Sequence, residues 1–176
     1  MSHNVEIEDQ CNPLDAAEDV LRAQEWAFDR LSEEQLYIGI DGDKGQYKLF
    51  FMWDELRNSL QFCCEMELCM TKDRSIEMHK MLADVNSKMW LGHFDLSPDE
   101  TTGCIAPCFR YNTLIRGMDH ISCTALVKDL LRMTLQECER LHDAFNVLDI
   151  HNESPSAYMD SNDSMELVLA QAAGHC

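Results

Sequence analysis

The spacing of apolar positions changes period several times along the chain, and each change marks an element. From Asn12 to Gln24 the spacing is helical: Leu14, Ala17, Val20 and Leu21 form one stripe. Asn12 is placed to cap that helix, with Pro13 in its first turn. The period then drops to two. Trp26 and Phe28 begin the alternation, Leu36, Ile38 and Ile40 continue it, and Tyr47, Leu49, Phe51 and Trp53 follow. The cleanest run is "LQFCCEMELCM" (60–70), where Leu60, Phe62, Cys64, Met66, Leu68 and Met70 share a face. Four such runs joined by short polar turns predict an antiparallel meander with one covered face. "DGDKG" (41–45) predicts a hairpin turn in which Asp-Gly supplies positive-φ positions.

Helical spacing returns over 73–90, where Met78, Met81, Leu82, Val85 and Met89 line up. Gly92 ends that helix, and "HFDL" (93–96) starts a strand with Phe94 and Leu96 on one side. A loop at 97–103 leads to a returning strand at 108–114. From Ser122 to about Leu148 runs the strongest helix, its stripe formed by Val127, Leu130, Leu131, Thr134, Cys138, Leu141, Phe145 and Leu148. A last helix is expected from Ser154-Pro155, although "DSNDS" (160–164) favours helix poorly. The order α-β-β-β-β-α-β-β-α-α predicts an α+β fold, a bent antiparallel sheet flanked by helices. One domain over residues 12–172 is expected, with flexible termini at 1–11 and 173–176.

Composition narrows the function classes. The chain has 176 residues, 32 acidic against 14 basic, for a net charge of −18. Such a surface repels phosphate, so neither nucleic acid nor an anionic membrane is an expected partner. The start "MSHNVEIEDQ" has no secretory pattern, and apolar stretches such as "LFFMW" (49–53) are too short to span a bilayer. These features predict a cytoplasmic protein whose nine cysteines are mostly reduced thiols.

No motif for chemistry is complete. "DGDKGQ" (41–46) lacks the EF-hand residues at Gly45, Gln46 and Met52 and lies between strands. Zinc would need two compact knuckles, and only fragments occur: Cys104-x3-Cys108, His120-x2-Cys123, Cys138-x3-His142 and His175-Cys176. No metal site is expected, and Cys104 with Cys108 comes nearest to one. Cys123 after His120 suggests a nucleophile on paper, but no oxyanion loop accompanies it. Phosphate-binding and acyl-transfer signatures are absent. In "MWLGHFDL" (89–96), His93 and Asp95 fall on the same side of a strand and are expected to face outward, without a third partner. Met89 and Trp90 are expected to close the preceding helix onto the core. No cofactor and no catalytic residue are expected.

The ordered set "NPLDAAEDVL", "W-x-F-DR", "LQFCCEME", "VNSKMWLGHFDL", "CFRYNTLIRG" and "ECERLHDAF" resembles the YbjN family of bacterial sensory transduction regulators, over about residues 12–170. Its most specific piece is "N-x3-W-x-GHFDL", made of Asn86, Trp90, Gly92, His93, Phe94 and Asp95. The resemblance implies a fold like that of type III secretion chaperones, small, acidic and often dimeric, and carries no catalytic residues. It implies a non-enzymatic homodimer that binds another polypeptide in a regulatory or chaperone-like manner, and the motif residues are expected to be structural. Eleven methionines would suit an adaptable apolar surface. The alternative is a metal- or redox-responsive sensor built on Cys104, Cys108 and His93.

Overall fold

In the computed structural model, which describes residues 11–70, 74–98 and 103–147, the first helix starts as the sequence dictates. The Asn12 side chain accepts the Leu14 N–H at 2.9 Å, and α1 runs Pro13–Ala23. Its end corrects one expectation. Glu25 takes φ +58, the Trp26 N–H returns to the Leu21 carbonyl and the Glu25 N–H to that of Arg22. This is a Schellman turn, a left-handed residue followed by an apolar one that folds back on the helix. Trp26 and Phe28 therefore alternate because they pack around the helix end, with the Arg22 guanidinium 5.4 Å above the Phe28 ring. The strand begins only at Asp29.

The strands are β1 (Asp29–Ser32), β2 (Gln35–Asp41), β3 (Gln46–Asp54), β4 (Ser59–Met66), β5 (His93–Pro98) and β6 (Ile105–Leu114). They form one antiparallel sheet in the order β1-β2-β3-β4-β6-β5. The predicted meander is thus β1 to β4, and β6 returns to lie between β4 and β5. The β2–β3 turn closes with the Gly42 N–H on the Gly45 carbonyl, yet neither glycine has a positive φ. Gly42 is needed for room, since a Cβ there would stand 2.4 Å from Tyr47. Beyond Met66 the alternation continues without the ladder: Leu68 and Met70 stay buried, and Met70 bridges to Ile105.

Helices α2 (Ser75–Lys88) and α3 (His120–Val147) complete the described chain. All three helices send their apolar side chains into one cluster with Leu36, Leu49, Phe51, Phe62 and Phe109 of the sheet. The α3 stripe is buried from Val127 to Phe145 as predicted, and Thr134 is sealed within it. Leu148 and the proposed helix from Ser154 lie outside the described residues. Aromatic rings cross the sheet within this core, Phe51 to Phe62 at 4.6 Å and Phe94 to Phe109 at 5.6 Å. The expectation of a single covered face needs amending. Phe50, Met52, Cys63 and Cys108, on the other side, form a second small buried cluster with Tyr37 packed on it.

Candidate functional site

The stretch from Asn86 to Asp95 joins α2 to the edge strand β5. The helix stops because Met89 adopts extended dihedrals and Gly92 takes φ +65, a left-handed conformation costly for any other residue. A Cβ on Gly92 would stand 2.3 Å from Phe109 Cζ and 2.8 Å from the Arg110 carbonyl, so glycine is required for space as well. Asn86 then reaches across the joint. Its Nδ2 donates to the Phe94 carbonyl at 2.9 Å, and its Oδ1 accepts the Phe94 N–H at 2.8 Å. Phe94 is buried as predicted, while His93 and Asp95 face outward on the opposite side. Asp95 lies 3.7 Å from Arg110 Nε, an ion pair with one exposed partner and hence of small energetic weight.

This arrangement blunts one edge of the sheet. Asn86 occupies both outward polar groups of Phe94, and the Asp95 carboxylate accepts the Leu96 N–H at 2.8 Å. The other edge, β1, is four residues long, shifts register between Arg30 and Ser32, and carries Arg30 in ion pairs with Asp15 and Glu18. Short, irregular and charged edges resist strand addition.

Trp90 departs from expectation. It is 80% exposed and does not close α2 onto the core. It stands instead at a cavity of about 310 Å³ between the end of α2, Phe109 of β6 and the middle of α3. The cavity wall is apolar, made by Val85, Met89, Leu91, Phe109, Met133 and Leu141, with Lys88, Glu137 and Arg140 also lining it. Lys88 pairs with Asp84 at 2.7 Å and Arg140 with Glu137 at 2.8 Å, so these charges are held by neighbours on their own helices. An apolar pocket with a charged border suits an apolar side chain from a partner. Sequence reasoning missed this site because Met133 and Glu137 flank the α3 stripe instead of belonging to it. The available signal was Met133, Glu137 and Leu141, four residues apart on one helix edge.

The candidate metal residues are not brought together. Cys104 is bonded to Cys69, and Cys108 turns into the second cluster beside Cys63. Among the described residues no group of three or more His, Cys, Asp or Glu could hold a metal ion. Among the described residues six cysteines are free thiols, Cys11, Cys63, Cys64, Cys108, Cys123 and Cys138, and Cys69 and Cys104 form a disulfide. Those two residues flank the Met70–Ile105 bridge, which sets their backbones close enough to be linked. Cys138 faces Cys64 across the core, Sγ to Sγ 3.7 Å, and burial pushes the Cys64 thiol well above its ordinary range. Cys63 is held down instead, first by a hydrogen bond from Cys108 and then by Arg110. His142 is buried near Gly45, and burial together with Lys44 lowers its pKa. Among the described residues no helix is long and apolar enough to cross a membrane.

With this geometry in place, comparison with known proteins identifies the lineage. The model of the YbjN family, described as "Putative bacterial sensory transduction regulator", matches residues 13–146. The chain belongs to this family. The crystal structure of YbjN from E. coli aligns with 78% of this chain and 93% of its own, at 11% identity and a TM-score of 0.57. The two share a fold. A chain of the ExsC–ExsE complex aligns with 73% of this chain and 82% of its own, at 17% identity and a TM-score of 0.36. No curated protein matches the sequence.

Proposed function

We propose that this YbjN-family protein is a non-enzymatic binding domain that holds a segment of another polypeptide, in a regulatory or chaperone-like manner. One observation carries the reading: Trp90, the tryptophan of the family-like motif, is 80% exposed where it lines an apolar cavity. An exposed tryptophan continuous with an apolar pocket gives a partner one anchoring patch, and such residues dominate binding energy where they are covered. Because both sheet edges are blunted, the partner segment is received by side chains in the cavity and not by an added strand. The charged residues around the cavity would fix its register, with Lys88 and Arg140 as local cations on a strongly acidic chain.

The same reading places the protein in the cytoplasm, supported by six free thiols against one disulfide among the described residues. It also takes the protein as a homodimer, for which Ile76 on α2, 68% exposed, offers apolar surface away from the cavity. Sedimentation of wild type and Ile76→Glu tests the second point: a dimer that the substitution splits supports it, and a monomer at micromolar concentration refutes it. Polypeptide binding is tested by selecting peptides from a displayed library on the purified protein. Enriched peptides sharing an apolar anchor support the reading, and no enrichment overturns it.

A further inference from the structure

Outside the cavity, one cluster of reactive side chains lies where the start of α1 meets the first turn of α3. Cys11 Sγ is 3.4 Å from His120 Nδ1, and His120 Nε2 is 3.0 Å from Asp19 Oδ2. With its proton on Nε2 facing the carboxylate, the imidazole presents a bare Nδ1 to the thiol, which is the geometry of a base oriented by an acid. Behind Cys11 lies Cys123, wholly buried, its thiol close enough for the two sulfurs to influence each other. Cys11, which no sequence pattern marked, is the thiol that faces His120 Nδ1, with Cys123 behind it.

We propose that Cys11, His120, Asp19 and Cys123 form an oxidant-responsive site, in which a small neutral peroxide converts the two thiols into a Cys11–Cys123 disulfide. The chemistry is balanced within the four residues and the peroxide. His120 Nδ1 takes the Cys11 proton, and the thiolate attacks one peroxide oxygen. The S–O bond forms as the O–O bond breaks, and the departing hydroxide recovers the proton as water. Cys123 sulfur then attacks the Cys11 sulfenic acid, the S–S bond forms, the S–O bond breaks, and a second water leaves. Two thiols and one hydrogen peroxide give one disulfide and two waters.

Two observations select this chemistry. Acyl transfer would need N–H donors converging on an oxyanion, and three of the nearby ones are used: the Ser122 N–H binds Asp119 Oδ1, the Cys123 N–H binds the Asp119 carbonyl and the Leu14 N–H binds Asn12. Asp15, Asp19 and Asp119 surround the thiol. This field repels anionic oxidants and disulfides such as glutathione, leaving small uncharged peroxides as the class that reaches the sulfur. Burial, then the field of Asp15, with Asp119 and Asp19 adding to it, pushes the Cys11 thiol up despite the opposing influence of Cys123. The thiol is the resting form, so reaction depends on His120. The Cys64–Cys138 pair is fully buried and offers a peroxide no such entry.

The test uses the full chain, pulsed with hydrogen peroxide, quenched with an alkylating agent and mapped by peptide mass. The expected first product is a Cys11–Cys123 linked peptide. Cys123→Ser should instead accumulate a Cys11 sulfenic acid trapped by dimedone. His120→Gln, at a half-exposed position, should leave the circular dichroism and melting curve unchanged and slow the oxidation by about a hundredfold, the low end of what a positioned base contributes. It should also move the rise of rate to higher pH, which a merely structural role would not do. Other cysteines linking first would overturn the proposal. So would a Cys11 that oxidises equally fast in His120→Gln.

Discussion

Asn86 stands to Phe94 as one strand stands to another: a single amide side chain, eight residues away, donates to the carbonyl at 2.9 Å and accepts from the N–H at 2.8 Å. The end of α2 and the edge of β5 are thus tied by a side chain that imitates a backbone. The tie also sets Trp90, between them, in its exposed position.

Asn86→Ala removes both partners of Phe94 at once. Leaving a part-buried N–H and C=O unpaired costs about 1–3 kcal/mol. Asn86→Asp keeps an acceptor for the N–H but turns a carboxylate toward the carbonyl, and should fall in the same range. Urea denaturation of the variants beside wild type measures both.

Gly92 is constrained twice, Gly117 once. Both have positive φ, +65 and +72, but a Cβ on Gly117 meets nothing within 4 Å whereas one on Gly92 strikes Phe109 and the Arg110 carbonyl. Gly117→Ala should cost about 1–2 kcal/mol for the left-handed backbone alone. Gly92→Ala should cost a further 1–3 kcal/mol or so for the forced repacking. Thermal or urea unfolding of the two variants gives the difference directly.

His142 makes stability depend on pH. Its pKa is lowered in the folded state, so the unfolded chain takes up a proton more readily as pH falls. Its contribution is therefore full above the ordinary histidine value of about 6.5 and is lost as pH drops through that value toward the lower folded one. Wild type should lose more stability between neutral pH and mildly acidic pH than His142→Gln does. Equal losses, in urea titrations at each pH, would show that His142 is not the group concerned.

The Cys69–Cys104 disulfide closes a loop of 35 residues in sequence separation, joining the chain after β4 to the start of β6. Cys69→Ser with Cys104→Ser should lower stability by about 2–4 kcal/mol. Wild type should show the same loss on adding a reductant, and the double variant should not respond to it.

The core was legible because burial on a sheet or helix face leaves a period in the sequence. Leu60, Phe62, Cys64 and Met66 lie on the face their alternation assigned, and the α3 stripe is sealed as read. Alternation misled at Trp26 and Phe28, where a left-handed Glu25 and a returning helix end produced the same spacing without a strand. At Trp90 the apolar side chain was assigned inward because hydrophobicity reports preference and not position. Met89 and Leu91 on either side pack against the core, while Trp90 between them faces out. Contacts between side chains distant in sequence, Cys69 with Cys104 or Cys11 with His120, leave no periodic trace and emerge only when the chain is folded.

The central claim is that Trp90 and its cavity receive a polypeptide segment. Tryptophan emission during titration with library-selected peptides tests it most directly, because Trp53 is already buried, Trp26 is half-buried at the end of α1, and Trp90 is the exposed tryptophan that binding would cover. The account predicts a blue shift that saturates with peptide. Trp90→Asp should abolish binding while leaving unfolding within about 0.5 kcal/mol of wild type, as expected for an exposed position. Selected peptides that bind Trp90→Asp as tightly as wild type, or that bind without shifting the emission, would contradict it.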